Sequence, residues 1–358
     1  MGAIMVILDG MGDQPCSSLG NRTPLEAAFT PALDALRARG AHGRLRATPA
    51  GVEPESVACI LSLLGVAPNA LPLHARAWLE ALSHGLAVEA NDLVLRCSLS
   101  SFDSDDRLIA SDGGAIPADF VPPSLPGLEF FSLGSYKGLL LLRGRARDLA
   151  ALRTFAPHQH DGAAFEALLV RGGETAELLS AFMVQSHRAL GHRALIAWGE
   201  SMPCALPAFP LAGAAAVCAA HVVRGLCLAR GMTVITPPGA TADTDTDLSA
   251  KLHAALLLAQ TAPFVLLHLN GADEAAHRRD PRGKAEFLSK IDRELLAPLA
   301  QTDLPLLICA DHATSSLTGA HTPEPQPFVL RRADRRGDLG LLDANQAVPL
   351  LCGAGRED

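Results

Sequence analysis

Short apolar runs that end in glycine or a polar residue recur along the chain. Five of them are IMVILDG, ALIAWGE, MTVITPPG, FVLLHLNG and PLLICADH. Runs of this length, rich in Val, Ile and Leu and bounded by turn residues, are typical of strands buried on both faces of a sheet. The pattern therefore predicts a core sheet of mostly parallel strands.

Helical patterns separate these runs. Apolar positions recur at helical spacing over residues 30–39, 175–190, 248–258 and 284–299. Strands that alternate with helices predict an α/β fold, in which a doubly wound, mostly parallel sheet carries helices on both faces. Such sheets bind ligands beyond the carboxyl ends of their strands. Acidic and histidine residues follow the apolar runs of this chain, so we expect the functional site there.

Residues 68–173 have a different pattern from the rest of the chain. They contain short alternating segments, an acidic turn at 103–106 and a passage rich in proline and glycine at 116–127. This pattern of alternating segments and turn residues is typical of short strands joined by turns. We predict that residues 68–173 form an inserted, smaller α+β cap domain that binds substrate. Residues 1–67 and 174–358 would then form the metal-binding core.

Composition narrows the classes of partner. Of the 358 residues, 49% are apolar and 19% are charged, and the net charge is -8. A globular chain without a broad cationic field is not expected to bind nucleic acid or an anionic membrane. The longest apolar stretches, 205–223 and 254–269, are interrupted by proline or polar residues, which argues against a membrane span. The composition leaves the oligomeric state, monomer or homo-oligomer, undetermined.

The cysteines and the amino terminus bear on localisation. The eight cysteines are scattered and include no CxxC pair, so we expect reduced thiols. The chain opens directly with an apolar strand pattern and lacks the basic segment and cleavage site of a signal peptide. We therefore expect a cytoplasmic protein.

Metal-ligating residue types cluster after the predicted strands. The six residues are Asp9, Asp273, His277, Asp311, His312 and His321. Asp273 and His277 are four positions apart, so a helix would present both on one face. Carboxylates with imidazoles, and without thiolates, favour manganese or zinc. Each residue alone is typical of a turn or a solvated surface, but together they predict a site for divalent metal ions.

Ser56 is the candidate nucleophile. It follows a loop rich in proline and glycine and begins an apolar helical run. A serine in that place is ordinarily a helix N-cap. The amide groups at a helix start also favour an anion, and a metal ion can activate a serine hydroxyl. No GxSxG or GxxxxGK motif offers a commoner serine-hydrolase or nucleotide-binding alternative.

Seven segments in order carry a family resemblance. They are ILDGMGD, NRTPLEAAFTPALDAL, the Ser56 segment ending in LSLLG, GLAVEANDLVLRCS, DTDLSAK, HLNGADEAAH, and ADHAT followed by His321. In this order they resemble the archaeal-type, cofactor-independent phosphoglycerate mutases of the alkaline phosphatase superfamily. The resemblance implies an alkaline phosphatase-like core and metal-dependent phosphoryl transfer through a phosphoserine. The implied substrate is 2- or 3-phosphoglycerate or a related small phosphorylated acid.

The resemblance also implies roles for individual residues. Two divalent metal ions, Mn or Zn, would be bound. One ion would be held by Asp273, His277 and His321. The other ion would be held by Asp9, Asp311, His312 and Ser56, with Ser56 also the catalytic nucleophile. Four residues are candidate substrate contacts: Arg96, which matches the family cap motif, His158, which matches a family histidine, and the basic residues Lys251 and Lys284.

The chain also departs from the family pattern. Around Ser56, the family's GSDTAH is replaced by ESVACI, and Glu55 places a negative charge beside the serine. Two cap arginines are missing at residues 112–115, and Trp198 stands where the family has arginine. Arginine forks are the efficient way to hold phosphate and carboxylate. Two alternatives therefore stay open: a metal-dependent phosphatase or phosphomutase acting on another phosphate or phosphonate ester, and a noncatalytic metal-binding descendant.

Overall fold

The structure is a computed structural model that describes residues 2–72 and 74–353. The chain divides into two compact units. The larger unit contains the residues up to Leu71 and those from Leu206 onward, and the smaller unit contains Pro72–Ala205.

The strands, in chain order, are β1 Ala3–Leu8, β2 Ala41–Arg46, β3 Leu93–Phe102, β4 Leu108–Ala110, β5 Leu128–Ser132, β6 Lys137–Leu142, β7 Arg193–Ser201, β8 Ala215–Val217, β9 Thr233–Ile235, β10 Phe264–Leu269, β11 Leu306–Cys309, β12 Ala313–Thr314, β13 His321–Thr322, β14 Gln326–Arg331 and β15 Gly337–Asp343. The α-helices are α1 Pro24–Ala27, α2 Pro31–Arg39, α3 Ser56–Leu63, α4 Arg76–Ser83, α5 Gly173–Leu190, α6 His221–Ala229, α7 Leu248–Leu258, α8 Gly271–His277, α9 Pro281–Ile291, α10 Ala297–Ala300 and α11 Ala347–Cys352. A π-helical segment, Asp292–Leu296, joins α9 to α10.

The larger unit is built on an eight-stranded sheet. Its strand order is β15-β2-β14-β11-β1-β10-β8-β9. The five strands from β11 to β9 are mutually parallel, and β14 pairs antiparallel with both of its neighbours. The predicted α/β fold with a mostly parallel sheet is therefore confirmed.

The central strands are apolar throughout because both faces of the sheet are covered. Every residue of β1 and of β10 is buried. Val6 of β1 belongs to a core cluster with Leu252 of α7 and Leu288 of α9. Side chains alternate along a strand, so the fully buried Met5 and Ile7 point to the opposite face. A continuous apolar run is the sequence signature of this double covering.

The smaller unit is an antiparallel sheet with helices. Its strands pair in the order β4-β3-β6-β5, and β7 also pairs with β3. Helix α5 contributes Leu179, Phe182 and Met183 to the cluster that covers this sheet. The long, regular apolar spacing of α5 is thus used to cover the smaller sheet.

The predicted domain boundary between residues 173 and 174 is corrected by this pairing. Strand β7, the run ALIAWGE, pairs antiparallel with β3 and therefore belongs to the smaller unit, together with α5. The run was expected in the core sheet because a short apolar strand has the same appearance whichever sheet it joins. The identity of the smaller unit as a substrate-binding cap stays a prediction.

Two further expectations concern cysteines and membranes. All eight cysteines are free thiols. Within the described ranges, no helix is both long enough and apolar enough to span a bilayer.

Candidate metal centre

The candidate ligands come together because three parallel strands are neighbours. Strand β1 lies between β11 and β10, so the carboxyl ends of the three strands meet at one edge of the sheet. Asp9 follows β1 directly, and Asp311 follows β11 after one intervening residue. Helix α8 begins two residues after β10 and carries Asp273. This placement agrees with the expectation from the sequence that acidic residues would meet there.

The inner group consists of Asp9, Asp311 and His312. Their ligand atoms lie within 4.8 Å of one another, and each residue is almost completely buried. His312 Nε2 lies 3.6 Å from Asp9 Oδ1 and 3.4 Å from Asp311 Oδ2. Asp311 Oδ1 accepts hydrogen bonds from the backbone N–H groups of Gly10 and His312, so its Oδ2 is the oxygen turned toward the group.

The inner group contains buried carboxylate oxygens without donors. Both Asp9 oxygens and Asp311 Oδ2 lack a hydrogen-bond partner among the described residues. His268 Nε2 lies 3.0 Å from Asp9 Oδ2, but neither of these two atoms forms a hydrogen bond. Burial, and then the charges of Asp311 and Asp273, raise the pKa of Asp9 well above its ordinary value. A buried carboxylate without donors is costly unless a cation neutralises it, so these residues fit a divalent metal ion.

The outer group consists of Asp273, His277 and His321. The Nε2 atoms of His277 and His321 lie 3.2 and 3.4 Å from Asp273 oxygens. The two Nε2 atoms are 3.1 Å from each other. Asp273 and His321 also lie within 4.8 Å of His312 by their ligand atoms, so His312 adjoins both groups.

Backbone carbonyls orient both outer histidines. Nδ1 of His277 lies 2.7 Å from the Gly319 carbonyl, and Nδ1 of His321 lies 2.7 Å from the Pro54 carbonyl. A carbonyl only accepts, so each Nδ1 carries a proton. Each Nε2 then offers a lone pair to a metal ion when the imidazole is neutral, and donates to Asp273 when the imidazole is protonated. Two Nε2 atoms that face one another beside a carboxylate fit a bound cation. Imidazole nitrogen and carboxylate oxygen are also ligand types that divalent metal ions use.

The charges of the outer group are mutually stabilising. The hydrogen bond with Asp273 raises the pKa of His277. Although burial opposes ionisation of Asp273, hydrogen bonds from His277 and His321 hold the pKa of this carboxyl well below its ordinary value. The outer carboxylate is therefore hydrogen-bonded, whereas neither oxygen of Asp9 in the inner group has a hydrogen-bond partner among the described residues.

Ser56 lies at the inner group. It is the first residue of α3, and its Oγ is 3.1 Å from His312 Nε2. The N-cap of α3 is Glu55, so the alternative interpretation of Ser56 as an N-cap is wrong. Glu55 is exposed, which leaves its charge in solvent.

Burial raises the pKa of the nearby Cys59 to about 12, so that thiol stays protonated and is not a competing nucleophile.

The two lysines predicted to contact substrate, Lys284 and Lys251, both make hydrogen bonds inside the larger unit. Lys284 is fully buried, and its Nζ donates to the Gly12 carbonyl, to Asp13 Oδ2 and to the Thr314 carbonyl. An ammonium group has three donors, so none is left for a substrate.

Lys251 is almost as deeply buried. Its Nζ donates to the carbonyls of Thr241 and His268, and burial lowers its pKa to about 8. The three internal hydrogen bonds of Lys284 argue against its predicted contact with substrate. Lys251 has two such bonds and one donor to spare, so its contact with substrate stays a prediction.

Arg96 and His158 are brought together within the smaller unit. The Arg96 guanidinium lies 4.1 Å from the centre of the Trp198 ring, and the His158 ring centre is 5.1 Å from that ring. Arg96 Nε is also 3.3 Å from a carboxylate oxygen of Glu80. Trp198, to which the sequence assigned no role, therefore connects both candidate substrate contacts, whose role in binding stays a prediction.

Two residues of the centre were missed from the sequence. His268 is a lone polar residue in the apolar strand β10, and Thr314 follows the ADHA segment. A polar residue inside an otherwise apolar strand could have drawn attention to His268. Nothing in the local pattern distinguishes Thr314 from an ordinary strand residue.

The comparisons with known proteins decide the family. The sequence pattern of the metalloenzyme superfamily matches residues 1–347. A 2,3-bisphosphoglycerate-independent phosphoglycerate mutase from Methanoculleus marisnigri is 32% identical over 365 residues, which cover 92% of this chain and 87% of the relative. The chain belongs to this mutase family, within the metalloenzyme superfamily. It is thus an enzyme of the phosphoglycerate mutase kind. Enzymes of this kind are isomerases.

Other members of the mutase family and two solved structures agree. The enzyme of the same name from Methanosarcina mazei is 30% identical, with 97% of this chain and 98% of the relative covered. A protein of solved structure from Pyrococcus horikoshii has a TM-score of 0.76 at 24% identity over the whole of both chains. The cofactor-independent phosphoglycerate mutase from Thermoplasma acidophilum has a TM-score of 0.61 at 21% identity, with 99% of each chain covered. These two structures share the fold.

Proposed function

We propose that this enzyme transfers a phosphoryl group through a phosphoserine at Ser56. The substrate would be a small phosphorylated acid, and the product would carry the phosphoryl group on another hydroxyl, as the name phosphoglycerate mutase implies for the relatives. The observation that carries the proposal is the position of Ser56, whose Oγ lies 3.1 Å from His312 Nε2, a member of the inner group of candidate ligands.

The candidate ligands define what would be bound. Asp9, Asp311, His312 and Ser56 would hold one divalent metal ion, and Asp273, His277 and His321 would hold a second. Bound divalent ions supply positive charge that neutralises the phosphoryl oxygens and favours the ionised serine. Mn and Zn both suit this set of carboxylates and imidazoles.

The protein's own residues supply position and orientation. Ser56 begins α3, so a phosphoryl group on its Oγ would lie beside the free amides of the first helical turn. In the first transfer, the Ser56 Oγ–P bond forms as the ester P–O bond of the substrate breaks. Ser56 gives up its proton, and the released substrate hydroxyl gains one. The second transfer reverses these changes at another hydroxyl of the same molecule.

A hydrolase is the second candidate function. It would use the same first step and transfer the phosphoryl group from Ser56 to water. The internal hydrogen bonds of Lys284 favour it, because they take up all three donors of a cation that was expected to hold a multiply charged acid. The second candidate is therefore a phosphatase or phosphomutase acting on a less anionic phosphate or phosphonate ester.

Parallel assays separate the candidates. The purified chain with Mn²⁺ is tested for interconversion of 2- and 3-phosphoglycerate and for hydrolysis of simple phosphomonoesters. Ser56→Ala should abolish whichever activity is found. Ser62→Ala is the matched control, because Ser62 lies on the same helix and its hydroxyl donates to the Ala58 carbonyl.

The outcomes are distinct. Interconversion that requires Ser56 supports the mutase, and hydrolysis alone supports the phosphatase. Full activity in Ser56→Ala would contradict both candidates, since both need that hydroxyl. Metal binding without activity on either class of substrate would favour the noncatalytic alternative.

A further inference from the structure

We propose that Thr314 is a positioning residue. Its hydroxyl holds one candidate ligand of each metal group in place and sets the tautomer of His312. The inference rests on the metal centre proposed above. It concerns a hydroxyl that is not itself a ligand and does not touch the reacting atoms.

The Thr314 hydroxyl bridges the two groups. Its Oγ1 donates to Asp273 Oδ1 at 2.6 Å and lies 3.2 Å from His312 Nδ1. Asp273 belongs to the outer group and His312 to the inner group. A single hydroxyl therefore contacts a candidate ligand of each group, and all three side chains are buried.

Counting hydrogens fixes the direction of both bonds. A hydroxyl has one proton and can also accept, whereas an ionised carboxylate only accepts. The proton of Thr314 Oγ1 must therefore be donated to Asp273. The remaining contact requires His312 Nδ1 to carry a proton and donate it to Thr314. His312 Nε2 is then the nitrogen with the lone pair, and it faces Ser56 Oγ and the inner carboxylates.

The same orientation occurs at the other two histidines by different means. His277 and His321 donate Nδ1–H to the carbonyls of Gly319 and Pro54. Among the residues that the structure describes, no carbonyl bonds to His312 Nδ1, and the Thr314 hydroxyl takes that place. All three imidazoles consequently present Nε2, which is how an outer hydrogen-bond partner fixes a metal-binding histidine. Only at His312 does the partner also bond to a ligand of the other group.

Thr314 is itself held rigidly. Its backbone N–H donates to the Gly12 carbonyl at 3.0 Å, and its own carbonyl accepts from Lys284 Nζ at 2.8 Å. Gly10, at φ +63°, packs against it so closely that a Cβ there would lie 2.7 Å from Thr314 Oγ1. The buried Lys284 thus acquires a role in the centre, since it fixes the backbone from which the Thr314 hydroxyl projects.

The test compares three substitutions by metal titration. Thr314→Val keeps the shape but removes the hydroxyl, and it should weaken binding of Mn²⁺ or Zn²⁺ at both groups by roughly 10- to 100-fold each, as loss of such outer partners does. Thr314→Ser keeps the hydroxyl and should restore wild-type affinity. Thr175→Val is the matched control, because Thr175 is a buried threonine that donates to Asp148 at 2.6 Å within the smaller unit. It should leave metal affinity unchanged.

A second readout does not depend on any variant. Nitrogen-15 NMR of the imidazoles in the metal-free wild-type chain should show neutral His312 protonated at Nδ1, a tautomer that no metal ion on Nε2 then imposes. A proton at Nε2, or equal metal affinity in wild type and Thr314→Val, would overturn the role of Thr314 while leaving the metal centre intact. A wild-type chain that binds no metal would instead overturn the metal centre, and this inference with it.

Discussion

The inner and outer groups have the same kinds of ligand but differ in how they are satisfied without metal. In the outer group, Asp273 is paired with two histidines whose other nitrogens are fixed by carbonyls. In the inner group, Asp9 is completely buried and has no hydrogen-bond partner among the described residues. The outer group is thus close to self-sufficient, whereas the inner group requires a cation.

The difference indicates that the inner group lowers the stability of the metal-free protein and thereby favours metal binding. Burying two carboxylates side by side disfavours the folded state, and the unmet charge is what a metal ion would gain by binding. The outer group, with the side chain of His277 40% exposed, loses less when metal leaves. We therefore expect the inner group to dominate both metal affinity and the stabilisation that metal confers.

The largest effect should come from Asp9→Asn. The amide keeps the shape of the side chain but loses its charge, so metal binding and activity should fall by more than the roughly 100-fold typical of an outer partner. In chelator, however, the free energy of unfolding should not decrease, because the amide can donate to the unpartnered Asp311 Oδ2. Equilibrium dialysis and urea unfolding measure the two effects.

The control for this prediction is Asp292→Asn. Asp292 is also buried, but its oxygens accept from the backbone of Ala32 and Leu33. That variant should lose stability and keep its metal. If both variants lost stability equally in chelator, the contrast between a satisfied and an unsatisfied carboxylate would be refuted.

The next effect concerns His321→Ala, which breaks the outer group alone. We expect the chain to retain one tightly held metal ion at the inner group and to lose the second, with activity lost as well because both ions neutralise the phosphoryl group. Metal analysis after dialysis gives the stoichiometry. The exposed His253→Ala is the control and should leave both ions bound. Loss of both ions in His321→Ala would show that the groups do not bind independently.

The stability of the metal-free chain should depend on pH through Asp9. In the unfolded chain this carboxyl ionises near its ordinary pKa of 3.8, whereas burial and Asp311 raise its pKa in the folded chain. Between the two values the folded chain binds more protons, so this group's contribution to the free energy of unfolding falls as pH rises. Urea unfolding in chelator at about pH 5 and about pH 8 should show the decrease, and Asp9→Asn or added Mn²⁺ should reduce it. A decrease of the same size in Asp9→Asn would assign the effect to another group.

The smallest effect is the pH dependence of metal binding at the outer group. The hydrogen bond to Asp273 raises the pKa of His277, and a protonated imidazole cannot bind metal. Affinity at the outer group should therefore fall as pH falls through that raised pKa. The midpoint can be compared with the titration of His277 followed by NMR in the metal-free chain. A midpoint unrelated to that titration would exclude His277 as a ligand.

Much of the sheet and of the ligand set could be predicted from the sequence. Runs such as FVLLHLNG mark doubly covered strands, and strand order then places Asp9, Asp311 and Asp273 at one edge. Local pattern did not reveal which sheet β7 joins, since its partner β3 is distant in sequence. Nor did it reveal that Lys284 donates to three internal oxygens, or that the Thr314 hydroxyl contacts a residue of the inner group and one of the outer group. Those features depend on contacts between residues that are distant in sequence, which no periodicity encodes.

The most direct test of the central claim is whether Ser56 carries the phosphoryl group. The Mn²⁺-loaded chain is mixed with phosphoglycerate, quenched rapidly in acid, digested and analysed by mass spectrometry. A phosphorylated peptide containing Ser56 should form with metal and be absent in chelator. Turnover with no phosphoserine at Ser56 during the reaction, or with label on another residue, would contradict it.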